Sequence, residues 1–384
     1  MTIRTFWALC FSMTSWMAVP VAGQPSFNST SSGSDGALNL TTPGTVVFIP
    51  SSFNPPLNPS GNNIFNFTSI NIASGVTVVL SGQNLTGPIY WLASGPVTIN
   101  GTLNLNGQNG AGYSESEETR IPAYGGAGGY PGGVGGRASS SPVLPAQPGS
   151  GPGGGAVNTA GTFAGTNFYL VPLVGGSGGG GANQSSAQVI GPGGGGGGGA
   201  ILIASSVSIT LDGAIEANGG AAGTSFGVSA GAGSGGAVRL IAPAVGGTGG
   251  ISAAQIRIET ASYPNSLSLT TPYTISSTPN LYLPTTQPGV LTVVSVGGVN
   301  VPANPTASFT VPDVTINASA SVAVVLNATN IPPGTTPTLQ FFSDSGTDFS
   351  VQAPALAGTM AQSTTTVQVS FPAGFTRGYV TASW

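Results

Sequence analysis

Histidine and lysine are absent from this 384-residue sequence, and its one cysteine, Cys10, lies near the N-terminus. Without histidine, the chain has neither the commonest general base nor the Ser-His-Asp, Cys-His and zinc arrangements that depend on it. Without lysine, it has no lysine nucleophile and no Walker-type phosphate loop. We therefore expect no catalytic residue of these kinds, no metal site built on them and no cofactor.

Charged residues are also scarce. Charged residues make up 4% of the chain, against about a quarter in typical soluble domains. Six arginines face ten acidic residues, for a net charge of −4, so nucleic acid is not an expected partner. Because 40% of the residues are hydrophobic, most of the chain is expected to fold.

The first 23 residues read as a secretory signal peptide. Arg4 precedes a largely apolar stretch over residues 5–19, and small residues follow up to Gly23. Cleavage there leaves a mature chain without cysteine, so no disulfide is expected. Later apolar runs fall short of the roughly 18 residues that span a bilayer. The expected location is secreted or cell-surface, with no transmembrane segment after signal cleavage.

Short runs with a two-residue period predict strands in the mature chain. Examples are 76–78, 97–99 and 103–105, each separated from the next by Gly, Asn or Ser, which tolerate the backbone conformations of tight turns. No convincing helical stretch appears.

An internal repeat gives a more specific prediction. Residues 89–107 align without gaps on residues 201–219, and a weaker third copy begins at Val238 and runs to Ile251. The aligned pairs keep apolar residues at inward positions and glycine at the corner: Val97 with Ile209, Ile99 with Leu211, Leu103 with Ile215, and Gly101 with Gly213.

Stacked short strands with glycine corners bury a continuous apolar ladder that a single unit cannot bury. We therefore predict an all-β chain in which residues 24–284 form a parallel β-helix or β-solenoid. A flattened β-sandwich and an up-and-down sheet would give the same alternation, because the period does not report strand direction.

A glycine-rich insertion over residues 108–199 separates the first two copies of the repeat. Within residues 124–137 the non-glycine residues recur with a period of three, with one slip at Pro131. Extended helices of the polyproline type have three residues per turn, so the insertion could form stacked polyglycine II helices. The alternative is a flexible linker, since glycine loses the most backbone entropy on ordering.

The paired glycines of residues 124–199 resemble the glycine-rich adhesin tips of phage tail fibres. That resemblance implies recognition loops at the interruptions of the glycine tract, residues 138–147 and 162–173. The present tracts are less regular than those of the tail-fibre tips.

From residue 285 onward glycine declines and β-branched residues dominate. Short turns containing Pro and Gly separate seven predicted strands. The strands are 290–296, 308–311, 322–326, 339–342, 349–352, 364–371 and 379–383. In strand count, spacing and size, residues 285–384 resemble an immunoglobulin or fibronectin type III β-sandwich. The cysteines and core tryptophan of antibody domains are missing.

Acidic residues are the candidate catalytic groups, because glycoside hydrolysis needs two carboxyl groups about 5–10 Å apart. Asp212 and Glu216 lie four residues apart in the second repeat copy, but Asn100 and Asn104 occupy their places in the first. This exchange favours solvent-facing turn positions. Residues 115–120 hold three glutamates and an arginine, which suit either calcium or a solvated loop.

Aromatic residues provide the stronger binding prediction, since sugars stack on exposed rings. Trp91 aligns with Ile203 and is predicted to belong to the core. Five other aromatic residues in or beside the glycine-rich insertion form the predicted ligand face: Tyr113, Tyr124, Tyr130, Phe168 and Tyr169.

Together these features resemble glycine-rich bacterial surface proteins and adhesins. We expect a non-catalytic exported protein, adhesive or structural, with surface glycans or other extracellular polymers as partners. The alternatives are a polysaccharide-active β-helix enzyme, either a lyase or a hydrolase, and a purely structural coat or matrix protein.

Overall fold

The computed structural model describes residues 27–112, 121–137, 145–165, 167–185, 189–264, 266–270, 272–277, 279–284, 289–302, 305, 311–317, 320–343 and 347–382. Over these residues the chain is all-β, with no α-helix and one 3₁₀ turn at Pro50–Ser52. The predicted signal peptide, Tyr113 and the charge cluster of residues 115–120 lie outside the described residues.

Within the described part of the chain, twenty strands precede residue 285. They are β1 (Gly36–Leu40), β2 (Gly44–Val47), β3 (Ile64–Ile72), β4 (Val76–Val79), β5 (Ile89–Ala93), β6 (Val97–Ile99), β7 (Thr102–Asn104), β8 (Gly136–Arg137), β9 (Asn183–Gln184), β10 (Ala200–Ser205), β11 (Ser208–Leu211), β12 (Ala214–Ala217), β13 (Thr224–Ser225), β14 (Val228–Ser229), β15 (Ala237–Ile241), β16 (Ala244–Gly246), β17 (Gly250–Ala253), β18 (Gln255–Glu259), β19 (Ser268–Leu269) and β20 (Tyr273–Ser276).

Most of these strands form two parallel sheets. The larger one has the order β16-β11-β6-β3-β5-β10-β15-β18-β20, with β1 also paired to β3, and the smaller one has the order β19-β17-β12-β7-β4-β2. The larger sheet curls into a half-barrel around β3, whose first half pairs with β5 and whose second half pairs with β6. Parallel pairing throughout both sheets excludes the up-and-down arrangement for this region.

Inward side chains of both sheets fill one apolar core. Trp91, Ile203, Leu240 and Ile258 occupy matching positions on successive strands of the larger sheet, and all are fully buried. Leu103 and Ile215 of the smaller sheet belong to the same cluster. The prediction that Trp91 is a core residue is confirmed.

The internal repeat corresponds to neighbouring strands. Residue pairs 112 positions apart lie opposite one another in three successive strand pairs, namely Ile201 with Ile89, Ile209 with Val97, and Ile215 with Leu103. The third copy stacks on the second, with Val238 beside Ile201 and Ile251 beside Ile215. The repeat alignment therefore predicted the strand register correctly.

The described residues of the glycine-rich insertion form an ordered array of extended segments. Residues 194–199 donate successive backbone hydrogen bonds of 2.7–2.9 Å, and every third donor reaches the same neighbouring segment. The acceptors are the carbonyls of Gly133 and Tyr130, of Gly231 and Ser234, and of Gln108 and Leu105. Successive residues therefore donate to three neighbouring segments in turn, as expected for an extended helix with three residues per turn. These residues do not behave as a flexible linker.

Close backbone approach explains why this run consists of glycine. A Cβ atom added to Gly197 would lie 1.9 Å from the carbonyl oxygen of Gly176, and one added to Gly196 would lie 2.1 Å from that of Tyr124. No side chain fits at such distances, so the spacing between segments depends on the missing Cβ. The array also contacts the core, since Ala127 and Leu105 belong to the main apolar cluster.

The C-terminal region contains eight strands within its described residues. They are β21 (Val290–Val296), β22 (Val299–Asn300), β23 (Val322–Thr329), β24 (Thr338–Ser343), β25 (Phe349–Gln352), β26 (Ala357–Gly358), β27 (Ser363–Val369) and β28 (Thr376–Thr381). Six of the seven predicted strands are confirmed, and the seventh, 308–311, falls almost entirely outside the described residues.

Two antiparallel sheets build this region, with orders β22-β21-β23-β27-β26 and β25-β24-β28. Alternate residues of β23 and β27 are buried, including Val324, Leu326 and Val367. They share one apolar cluster with Leu339 and Phe341 of the second sheet. The two sheets therefore pack together through side chains on their facing surfaces.

Candidate functional site

The outer surface of the larger sheet holds three ionised side chains in adjacent positions. Arg239 on β15 lies directly beside Arg257 on β18 in the parallel register. Glu259 follows Arg257 by two residues and therefore points to the same face of the strand. The strand pairing thus brings together charges that are 18 residues or more apart in the sequence.

Glu259 is shared between the two arginines. Its Oε1 accepts hydrogen bonds from Nε and Nη2 of Arg239 at 3.2 and 2.8 Å, and from Nε of Arg257 at 2.5 Å. Its Oε2 accepts a hydrogen bond from the backbone N–H of Asn280 at 2.7 Å. Glu259 is 0%, Arg239 1% and Arg257 8% exposed, so this cluster, with two positive charges and one negative, is almost wholly removed from water.

Four of the six guanidinium nitrogens of Arg239 and Arg257 donate hydrogen bonds to described residues. Arg239 Nη2 also donates to the carbonyl of Asn280 at 2.6 Å, and Arg257 Nη1 donates to the Phe168 carbonyl and the Thr274 hydroxyl at 3.4 Å. Arg239 Nη1 and Arg257 Nη2 make no hydrogen bond to the residues that the structure describes.

Two chain segments rim the cluster and leave a cleft of about 480 Å³. Tyr169 places its ring 4.9 Å from the guanidinium carbon of Arg257, and Tyr282 places its ring 5.8 Å from that of Arg239. Both rings remain more than half exposed, at 63% and 51%. The other lining residues are polar with one exception: Asn167, Val171, Ser276 and Asn280 complete the wall.

Local hydrogen bonds fix the rim segment that carries Tyr169. The side-chain oxygen of Asn167 accepts from the backbone N–H of Tyr169 at 2.9 Å, and its amide nitrogen donates to the carbonyl of Val171 at 2.7 Å. Leu170 is buried in the apolar cluster that covers the outer face of the sheet. The loop is therefore anchored by Leu170 while Phe168 and Tyr169 face solvent.

The predicted ligand-face residues divide between two places. Phe168 and Tyr169 lie on the rim loop, and Tyr169 lines the cleft. Tyr124 and Tyr130 are half-buried in the glycine array and do not line the cleft. The Tyr130 ring packs on Gly151, where an added Cβ would lie 2.7 Å from the ring. Tyr113 lies outside the described residues.

Sequence reasoning missed Arg239, Arg257, Glu259 and Tyr282. A signal was present, because Arg257 and Glu259 are two residues apart in the strand-like run of residues 255–259, and residues two apart on a strand point to the same face. The third repeat copy also contains Arg239. The sequence pattern does not give the register between β15 and β18, and this register places Arg239 beside Arg257.

The acidic pair considered as a catalytic candidate is held by neighbouring strands and turns. Asp212 Oδ1 accepts from the backbone N–H and the hydroxyl of Thr248 at 2.9 and 3.1 Å. Glu216 Oε2 accepts from the amide of Asn106 at 2.7 Å. Neither residue lines the cleft. Among the residues that the structure describes, no three acidic, His or Cys side chains are grouped as metal ligands would be.

Tyr90 lies in the same outward row as Arg239, two strands away through Leu202. Burial raises the pKa of Tyr90 to about 12, and the positive charge of Arg239 opposes part of that rise. The phenol is therefore neutral at physiological pH and contributes no counter-charge to the two arginines.

In the described part of the chain, no helix has both the length and the apolar character needed to cross a membrane. No protein-family model matches this chain, and no curated protein or solved structure is significantly similar to it.

Proposed function

We propose that this chain is a non-catalytic, exported glycan-binding protein, and that its binding site is the cleft between Tyr169 and Tyr282. The observation that carries the proposal is the pair of half-exposed tyrosine rings flanking a polar cleft. Such rings offer an apolar face for sugar C–H groups and a hydroxyl for sugar oxygens. Amide and hydroxyl groups of Asn167, Asn280 and Ser276 line the wall between them.

The cleft has the character of a ligand site rather than a packing defect. Ligand sites are concave and combine apolar surface with a few placed polar groups. A volume of about 480 Å³ falls within the usual range of about 300–1,000 Å³. Most surface elsewhere carries Ser, Thr, Asn and Gly, so a cleft containing two arginines is chemically distinct.

The proposal includes a finer description of the architecture. The in-register stacking of β5, β10, β15 and β18 supports a parallel β-helix as the scaffold. The threefold rotation of hydrogen-bonding partners supports polyglycine II packing of the insertion. The strand order of the C-terminal sheets supports an immunoglobulin-like or fibronectin type III sandwich, which serves as a spacer or docking module.

Binding is favoured over polysaccharide cleavage by the carboxyl groups of the cleft. Hydrolysis by the usual routes needs two carboxyl groups, one of them free to exchange a proton. Glu259 is the one carboxylate that lines the cleft, and both its oxygens accept hydrogen bonds from arginine or backbone donors. A coat or matrix protein remains the structural alternative, and it differs by showing no saturable glycan binding.

A glycan array probed with the chain from Gln24 onward tests the proposed function. We expect saturable binding to a subset of glycans, and about two- to tenfold weaker binding by Tyr169→Ala, because a stacking contact of about 0.5–1.5 kcal/mol is lost. Phe226→Ala is the matched control, since this ring is 73% exposed on the β13–β14 hairpin and does not line the cleft. Absence of saturable binding, or equal loss in both variants, would contradict the proposal.

A further inference from the structure

The charge of the cleft is unbalanced. Two guanidinium groups and one carboxylate leave one excess positive charge among side chains that are at most 10% exposed. Tyr90, a buried phenol in the same outward row as Arg239, is neutral because its pKa is raised to about 12. A buried charge without a partner is strongly unfavourable, whereas a buried pair that is fully hydrogen-bonded is tolerated. One arginine would have sufficed to balance Glu259.

The unused donors identify where a balancing charge would bind. Arg239 Nη1 and Arg257 Nη2 have no hydrogen-bond partner among the described residues, although every other guanidinium nitrogen of the pair donates at least once. Both residues line the cleft. Adjacent parallel strands are about 4.8 Å apart, a spacing at which two donors from different arginines can reach the oxygens of one carboxylate or sulfate.

We infer that the cleft is a subsite for the anionic group of an acidic glycan, a carboxylate or sulfate carried on a sugar ring, bound by Arg239 and Arg257. The sugar part of this inference rests on the proposed glycan-binding function. Arginine suits the role because its planar group presents paired donors that match the oxygens of carboxylate and sulfate. Tyr169 and Tyr282 then flank the ring that carries the anion.

Charge elsewhere in the chain limits the ligand to isolated anionic groups. The chain as a whole is negative, at −4, and has only six cations over 384 residues. A densely charged polyanion such as a nucleic acid needs many cationic contacts along its backbone. A glycan with one acidic group per sugar needs one small cationic cleft, which is what Arg239 and Arg257 provide.

Calorimetric titration of the chain from Gln24 onward with three tetrasaccharides tests the inference. The three probes are oligogalacturonate, its carboxyl-reduced neutral counterpart, and a sulfated galactan fragment. We expect at least one acidic probe to bind tenfold or more tighter than the neutral one, because charge-assisted hydrogen bonds are roughly twice as strong as neutral ones. The advantage should shrink with added salt. Preference for only one acidic probe assigns the anion as carboxylate or sulfate.

Substitution of Arg257 connects the preference to the cleft. Arg257→Gln leaves Arg239 and Glu259 as a neutral pair, so we expect the ratio of the acidic-probe affinity to the neutral-probe affinity to fall to about one. Arg257→Lys keeps the charge without the planar fork and should retain part of the preference. Arg137→Gln removes the same charge outside the cleft and serves as the control. Loss of preference in Arg137→Gln but not in Arg257→Gln would overturn the inference.

A second measurement separates failure of this inference from failure of the proposed function. Equal affinity for acidic and neutral probes would overturn the anionic subsite and leave glycan binding intact. If no glycan binds, inorganic sulfate should still raise the Tm of the unsubstituted chain more than that of Arg257→Gln, since a ligand that binds only the folded state stabilises it. If sulfate raises the Tm of both proteins equally, or of neither, the anion subsite is contradicted as well.

Discussion

Arg239, Arg257 and Glu259 lie together in the interior although only 4% of the residues are charged. In a chain this poor in charge, two of six arginines in one cluster represent a concentration that composition alone does not predict. Arg239 lies beside Leu202 on the outer face of the sheet, Leu202 and Ile241 belong to one apolar cluster there, and both arginines line the cleft. In these apolar surroundings, each hydrogen bond that the arginines make is electrostatically stronger than it would be in water.

Two tyrosines, the buried Tyr90 and the half-buried Tyr379, predict how stability depends on alkaline pH. Burial raises the pKa of Tyr90 and of Tyr379 from 10.0 to about 12. Because the folded state holds these protons more tightly, their contribution is complete below pH 10 and is lost as pH rises from 10 to 12. We expect the free energy of unfolding, measured by urea denaturation, to decline over that window.

Phenylalanine substitutions test whether Tyr90 and Tyr379 cause the decline in the free energy of unfolding between pH 10 and 12. Tyr90→Phe should reduce the slope between pH 10 and 12, and Tyr379→Phe should also lose the hydrogen bond that its hydroxyl donates to Gln340. Tyr169→Phe, at a ring that is 63% exposed, is the control. A slope that is the same in all three variants would show that other groups govern alkaline unfolding.

Among the structural elements, the glycine run of residues 193–199 leaves no room for a side chain at any position except Gly193. It lies at the centre of the array and both donates to and accepts from surrounding segments. Segments held by backbone hydrogen bonds at 2.7–3.0 Å leave no volume for side chains. The absence of Cβ is thus a packing requirement along most of this run, independent of positive φ.

One pair of alanine substitutions tests this packing. In Gly197→Ala the new Cβ would lie 1.9 Å from the carbonyl oxygen of Gly176, whereas in Gly193→Ala the nearest atom is 3.4 Å away. We expect Gly197→Ala to destabilise the fold by about 1–3 kcal/mol or more, as overpacking does, and Gly193→Ala to be nearly neutral. Urea denaturation measures both. Equal stability of the two variants would argue against close packing of the array.

At the scale of the whole molecule, the apolar clusters of the described residues fall into two sets that share no residue. The clusters of the parallel sheets draw on residues up to 283, and those of the antiparallel sheets draw on residues from 291 onward. Cooperative unfolding follows shared cores, and separate cores commonly unfold separately. The predicted boundary near residue 284 falls in the interval between the two sets.

Calorimetry tests the independence of the two cores. We expect two unfolding transitions, with Leu326→Ala lowering one and Leu103→Ala lowering the other. Both leucines are fully buried, so each substitution should cost about 2–5 kcal/mol. A single transition that both variants lower would instead indicate that the two regions unfold as one unit.

Several features of the fold followed from local pattern. The alternation in Val97-Thr98-Ile99 predicted a strand because neighbouring residues point to opposite faces, and the 112-residue offset predicted which strands pair. Six C-terminal strands were located in the same way. The cleft was predicted only in part: of its lining residues, Tyr169 was among the predicted ligand residues, whereas Arg239 and Tyr282 were not.

The sequence by itself determined strand positions, the repeat register and the exclusion of histidine and lysine chemistry, because each depends on residue type or on short-range spacing. Tertiary structure alone decided that the described glycine segments pack and that Arg239, Arg257 and Glu259 meet beneath Tyr169 and Tyr282. These contacts join residues up to about a hundred positions apart across different strands and loops. Their free energy depends on burial and on exact distances, which no local pattern encodes.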